Sequence, residues 1–202
     1  MRPDAAIQIF KDVGAIRHGH FELTSGLHSD TYVQCAMVLQ YPKYAEQLGR
    51  ALAAEFMDLR VDCVVSPALG GLIIGHEVAR AIPAGPDGKP MRAIFVERDS
   101  LGSLTMRRGF RVEPDEHVLV IEDVWTTGGS TCETIRVLEE AGARVVAAGA
   151  LIDRSGGKIE LPVRTEALVD LKIESYDASA CPQCLSGGVA VKPGSRFART
   201  GA

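Results

Sequence analysis

The stretch Val118-Leu119-Val120-Ile121-Glu122-Asp123-Val124-Trp125-Thr126-Thr127-Gly128-Gly129-Ser130-Thr131 decides how this chain is read. Its four leading apolar residues, without alternation, predict a strand buried on both faces, as in a parallel sheet. Two carboxylates end the strand and a Thr/Gly/Ser loop follows. A helical pattern then runs from Ser130 to Ala141, with Ile135 and Leu138 on one face and Gly142 as its stop. Such a strand-loop-helix unit puts its polar groups at the edge where open α/β sheets bind ligands. Gly128 and Gly129 let backbone amides converge beside the positive helix end, and Thr126, Thr127, Ser130 and Thr131 add hydroxyls. That is a cradle for a phosphate dianion. Glu122 and Asp123 would repel phosphate but suit sugar hydroxyls or a hydrated Mg2+. A phosphorylated sugar satisfies both halves. A capping box between Ser130 and Glu133 would explain neither the paired acids nor the clustered hydroxyls.

Outward from this segment, further apolar runs at Asp62 to Val65, Ala93 to Val96 and Val145 to Ile152, with a weaker one at Ala167 to Leu171, predict more buried strands. Helical patterns separate them. One starts at Pro42 and carries Tyr44, Leu48, Leu52 and Phe56; another runs from Gly70 to Ile82 and stops at Pro83. Alternating strand and helix predict a single doubly wound α/β domain over residues 1–202. Two regions break the alternation: Phe21 to Val33, read as a short hairpin, and Glu97 to Pro114, a polar connection longer than a tight loop.

Composition narrows the function. With 46% hydrophobic residues and 21.6 kDa the chain can bury roughly 70% of its unfolded surface, enough for a real core. Twenty-six acids against 22 bases, a net charge of −4, argue against nucleic acid as a partner. No apolar run reaches the length of a membrane span, which predicts no membrane association and a cytoplasmic location. Five cysteines make no disulfide framework and fit a reducing compartment; Cys35, Cys63 and Cys132 read as buried and inert. There is no G-x-G-x-x-G, and neither Gly88-Lys89 nor Gly157-Lys158 belongs to a Walker A loop. Cys181-Pro182-Gln183-Cys184 has the spacing of half a zinc site or of a redox pair, with no histidine at zinc-finger spacing to complete it. His18 and His20 read as surface residues, and Trp125 as either a lid on a bound base or a packing residue.

The segment from Val118 to Thr131 resembles the phosphoribosyl-diphosphate (PRPP) signature of the type I phosphoribosyltransferases. Phe21-Glu22-Leu23-Thr24-Ser25-Gly26-Leu27-His28-Ser29 with Tyr32, Ser66-Pro67-Ala68-Leu69-Gly70-Gly71, Ala150 to Gly157 and Lys192-Pro193-Gly194-Ser195-Arg196 resemble elements of the orotate phosphoribosyltransferases. The resemblance implies a central parallel sheet flanked by helices, with a small hood built from about residues 1–38 and part of the C-terminal segment. It implies transfer of the phosphoribosyl group of PRPP to orotate, giving orotidine 5′-monophosphate and diphosphate in pyrimidine biosynthesis, with Mg2+ as cofactor and a homodimer with shared active sites. PRPP falls to Glu122, Asp123, Val124, Trp125, Thr126, Thr127, Gly128, Gly129, Ser130, Gly70 and Gly71, and orotate to Thr126 and Arg154. Mg2+ is expected to bind mainly through PRPP, so no side chain is assigned to it.

The chain departs from the family pattern in its long loop. Between Met91 and Glu116 it has no lysine and no histidine, and Arg98, Arg107 and Arg108 are expected to serve as the loop cations beside the catalytic acids. A guanidinium neutralises diphosphate well but is a poor proton donor. Two rival readings, a purine-specific relative and a catalytically silent RNA-binding regulator, share the phosphate loop. The first lacks a use for Arg154, and the second calls for a basic surface.

Overall fold

The computed structural model describes residues 1–23, 26–83 and 88–193. Thr24 and Ser25 of the N-terminal element and Gly194 to Arg196 of the C-terminal one lie outside the described residues. The chain opens with α1 (Pro3–Asp12), which has proline in its first turn and buries Ala6 and Phe10 one turn apart. The strands β1 (Ile16–Glu22) and β2 (His28–Val33) form an antiparallel hairpin, a two-stranded sheet of its own. The short α2 (Ala36–Leu39) and the longer α3 (Pro42–Ala54) lead into β3 (Cys63–Pro67), α4 (Gly71–Ala81) and β4 (Arg92–Arg98). Then come β5 (Leu104–Met106), β6 (His117–Trp125), α5 (Gly129–Glu140), β7 (Arg144–Asp153) and β8 (Arg164–Asp170). A single-turn α6 (Pro182–Leu185) ends the described elements.

The main sheet has the order β5-β4-β3-β6-β7-β8, parallel except for β5. Each buried strand points alternate residues to opposite faces, so each face receives its own core. Val64, Leu119, Ile121, Ala147 and Leu151 pack with Phe10 of α1, Leu48 and Leu52 of α3, and Ile74 and Val78 of α4. Val65, Val118, Val120, Ala148 and Ala150 pack with Ile135 and Leu138 of α5 on the other side. Helices thus cover both faces, as the alternation of strand and helix predicts.

From β3 the chain moves outward to β4, then returns to lay β6 on the opposite side of β3. Strand order reverses between β3 and β6, and a crevice opens at their C-terminal ends. The two glycine loops, after β3 and after β6, meet there. The polar stretch from Glu97 to Pro114 is more ordered than its composition indicates. Its Asp99 carboxylate accepts N–H bonds from Leu101 and Ser103, closing a turn that returns β5 against β4. Three residues are too few to show a strand period, so the sequence does not announce β5.

A second segment departs from the alternation. The chain after β8 runs back to the hairpin, where Tyr176 bridges to His28 and Val191 to Phe21. Residues 171–193 contain a single buried residue, Cys181.

Candidate active site

The site is built from the ends of β6 and β7. Gly128, at the N-cap of α5, has φ of 74°, in the left-handed region, and a Cβ there would stand 3.1 Å from Ile159 Cδ1. No side chain caps this helix. Glu133 does not close a capping box on Ser130: its carboxylate instead accepts from the Leu104 N–H at 2.7 Å and from Arg98 at 3.2 Å. Of the first-turn amides of α5, Gly129 N–H makes only a long bond of 3.4 Å to Thr127 Oγ1, so this helix start can still offer donors to an anion. Thr126 and Thr127 are exposed beside them and Ser130 is half-buried. Thr131 is not one of the cradle hydroxyls; it is buried and accepts the Trp125 indole N–H at 2.9 Å. Trp125, 2% exposed, is accordingly the packing residue of the two alternatives, pinning the loop to α5 from beneath.

Gly70 and Gly71 begin α4 against the same strand end. A Cβ on Gly70 would lie 2.5 Å from Asp123 Oδ1, and one on Gly71 would lie 2.8 Å from the Ile121 carbonyl oxygen. The loop after β3 can reach the acids only because both positions are bare.

Glu122 is buried and Asp123 half-buried. Burial, and next the Asp123 charge, push the Glu122 carboxyl well above its ordinary value. Burial also raises Asp123, although the Val124 N–H donates to its Oδ1 at 2.9 Å. Adjacent carboxylates held this way attract hydroxyl donors or a cation, which fits ribose hydroxyls and a hard divalent ion carried by a diphosphate.

Asp123 also lines a cavity of about 370 Å³ with Tyr32, Cys35, Thr126, Thr127 and Arg154. Leu23 and Leu27 of the hairpin turn and Ser175 of the C-terminal segment close its far side. Arg154 follows β7, its backbone N–H bound to the Trp125 carbonyl at 2.8 Å. Burial lowers the affinity of its guanidinium for the proton, and its buried Nε has no hydrogen-bond partner. Cys35 is fully buried and its thiol is pushed well above its ordinary value, chiefly by burial. It is unsuited to act as a nucleophile.

The loop arginines are placed differently. Arg98 pairs with Glu133 at 3.2 Å, and Arg108 and Arg107 both approach Glu97, at 2.9 and 3.8 Å. None of the three lines the cavity. Two expectations about other residues are corrected. Cys132 is exposed, because the outer face of α5 carries it, while Cys35 and Cys63 are buried. His20 is half-buried instead of a surface residue and, with His28, lies against Cys181 and Cys184, outside the cavity. Ser175 and the hairpin leucines were not singled out from the sequence as ligand contacts; a polar tail and a turn carry no period that would reveal them.

Residues 35–176 match the family model of the phosphoribosyl transferase domain. An orotate phosphoribosyltransferase of Pelotomaculum thermopropionicum is 49% identical over 196 residues, covering 97% of this chain and 99% of that protein. One from Chlorobium phaeobacteroides is 44% identical over 200 residues, 99% of this chain and all of that protein. Among solved structures, the orotate phosphoribosyltransferase of Aeropyrum pernix superposes with a TM-score of 0.60 at 27% identity, over 82% of this chain and 93% of that one. The sheet, the glycine loops at its switch point and these full-length likenesses agree: the chain belongs to the phosphoribosyltransferase family and, within it, to the orotate phosphoribosyltransferases.

Proposed function

We propose that the cavity takes orotate and that the crevice beside it takes PRPP, and that the chain transfers the phosphoribosyl group to orotate, releasing diphosphate. The observation that supports this most is Arg154, a withdrawn guanidinium whose Nε lacks a partner and which faces a cavity of base size. Orotate is planar and carries a carboxylate and ring carbonyls, the acceptor edge that a guanidinium fork matches. A purine has no carboxylate to offer it.

On this reading the α5 amides, Thr126, Thr127 and Ser130 hold the 5′-phosphate, and Glu122 and Asp123 hold the ribose hydroxyls. Gly70 and Gly71 present the loop after β3 to the diphosphate. Mg2+, carried mainly by PRPP, supplies charge neutralisation of the diphosphate when bound. As the C1–oxygen bond to diphosphate breaks, its electron pair leaving with the diphosphate, positive charge develops at C1 and the orotate ring nitrogen bonds there from the opposite face, its proton passing to solvent or to the departing diphosphate. No side chain forms a covalent intermediate. The protein aligns the partners and keeps water away from a reactive carbon.

Arg98, Arg107 and Arg108 complete the machinery as diphosphate cations. Their present pairing with Glu97 and Glu133 fits exchange onto the more highly charged diphosphate, in the same subunit or a neighbouring one of a homodimer. Residues 1–202 act as one domain, with the β1–β2 hairpin and the returning C-terminal segment as the hood, and the enzyme works in the cytoplasm. Among the described residues no helix is long and apolar enough to cross a membrane.

The test is consumption of orotate, read by its absorbance, with PRPP and Mg2+, beside parallel reactions with adenine, hypoxanthine and uracil. Only orotate is expected to be consumed. Arg154→Ala is expected to raise the KM for orotate about 100-fold, the loss of a charge-assisted bidentate pair, with the KM for PRPP moved only a few-fold. Consumption of a purine, or an unchanged orotate KM in the variant, overturns the assignment.

A further inference from the structure

The C-terminal segment poses a physical problem. Of residues 171–193 only Cys181 is buried, while Leu185, Val189 and Val191 are 76%, 87% and 61% exposed. Ordering a residue costs roughly 1–2 kcal/mol of backbone entropy, and apolar burial here offsets little of it. Yet the segment is held to both strands of the hairpin. The Glu22 N–H donates to the Val191 carbonyl and the Val191 N–H to the His20 carbonyl, at 2.9 and 2.8 Å. His28 and Tyr176 exchange backbone bonds at 2.8 and 2.9 Å, and the Ser29 hydroxyl donates to the Glu174 carbonyl. Something besides hydrophobic contact anchors it.

At its centre stand four side chains. His20 Nε2 and His28 Nδ1 are 3.0 Å apart. Cys181 Sγ lies 3.4 Å from His20 Nε2, and Cys184 Sγ lies 3.6 Å from the same nitrogen and 3.2 Å from His28 Nδ1. All four ligand atoms fall within 4.8 Å of one another. A tetrahedral zinc centre with Zn–S near 2.3 Å and Zn–N near 2.0–2.1 Å has edges of about 3.3–3.8 Å, close to the four separations of 3.0 to 3.6 Å, so a small shift of the ligand atoms completes the shell. The other ring nitrogen of His20, Nδ1, is buried without a partner, leaving Nε2 as the atom that faces the cluster. Without an ion the cluster is held only by one imidazole-to-imidazole hydrogen bond and by thiols, which are weak donors.

We propose that His20, His28, Cys181 and Cys184 form a structural zinc site that clamps the C-terminal segment onto the hairpin. Two thiolates and two neutral imidazoles suit a borderline-soft ion and not Mg2+. Four protein ligands leave no open position, so the role is structural. Binding drives off the proton of each thiol and leaves a neutral centre in a half-buried place. Its reach extends to substrate: Leu23 and Leu27 belong to the turn between the two histidine-bearing strands, and Ser175 adjoins Tyr176, and all three line the cavity. The sequence supplies only the Cys181/Cys184 half of this set, because folding, not spacing, brings the hairpin histidines to it.

The test uses the full chain, purified under reducing conditions without a histidine tag. Elemental analysis is expected to give one zinc per chain. Replacing it with Co2+ is expected to produce the intense visible bands of tetrahedral cobalt and a near-ultraviolet thiolate charge-transfer band. Both should be lost in Cys184→Ser and in His20→Ala, and a chelator should lower the Tm of the parent. A reduced chain that takes up no zinc from an excess, or a pale octahedral cobalt spectrum, overturns the proposal. So does equal zinc in the double variant Cys181→Ser, Cys184→Ser. Should the variants not fold, the cobalt spectrum of the parent decides by itself.

Discussion

The two ends of the same parallel sheet treat charge in opposite ways. At the N-terminal end of the strands a second cavity, of about 310 Å³, is lined by Arg60, Asp62, Arg92 and Glu116 among others, and these four are paired with one another. Arg92 reaches both oxygens of Glu116, at 2.6 and 2.7 Å. Asp62 accepts from the His117 backbone and lies 3.0 Å from its ring; burial opposes the Asp62 charge, but the bonds from His117 and Arg60 outweigh it and hold the carboxyl below its ordinary value. At the C-terminal end Arg154 Nε has no partner, two adjacent acids are pushed up, and a helix N-terminus goes uncapped. Volume does not separate the two cavities. Unmet electrostatic demand does, since buried polar groups are ordinarily satisfied and exceptions mark places awaiting a ligand.

The comparison is broken most directly by one neutral substitution at each end. Asp123→Asn removes a charge that the proposed function sets against the ribose and is expected to lower kcat/KM about 1,000-fold, with little change in Tm. Asp62→Asn removes a charge that meets only protein. It is expected to leave kcat/KM within a few-fold and to cost about 1 kcal/mol in denaturant unfolding. Comparable activity losses in the two variants would erase the distinction between the ends.

The arginines that follow β5 fall between these cases, being paired now with Glu97 but proposed as cations for the diphosphate. Arg107→Ala and Arg108→Ala are each expected to lower kcat about 10-fold at saturating PRPP, since each removes one of several cations from the leaving diphosphate. Neither should measurably disturb stability, because exposed ion pairs contribute little. Unchanged turnover in both removes them from the reaction.

Legibility in the sequence follows the same physics. β6 and β7, buried on both faces, show continuous apolar runs that announce them, and the consecutive acids and glycines of the proposed cradle stand out because they have no cheap structural explanation. The resemblance of its strand end assigns Arg154 to orotate, and its unpartnered Nε supports that reading. What spacing cannot show is contact made by folding. Thr131 looks like another loop hydroxyl until Trp125 takes it, Glu133 looks like a cap until β5 claims it, and His20 and His28 acquire chemistry only when the chain end returns to them.

Glu122 sharpens the comparison with the smallest effect. In the folded chain its carboxyl is raised above 4.5, first by burial and then by Asp123, whereas the unfolded chain ionises near that value. Above pH 4.5 the unfolded state therefore gives up a proton that the folded state retains. Stability contributed by this group is present in acid and falls as pH rises toward the folded value, the reverse of a salt-bridged carboxylate such as Asp62. Glu122→Gln has no charge to desolvate, so near neutral pH it is expected to be more stable than the parent by about 1–2 kcal/mol, a Tm gain of several degrees that shrinks toward pH 4.5. Its turnover should fall at the same time, because the proposed function assigns the ribose hydroxyls to this same carboxylate. A Tm gain that does not change with pH would mean that Glu122 is held by packing, and the C-terminal end would lose one of the unmet charges that set it apart.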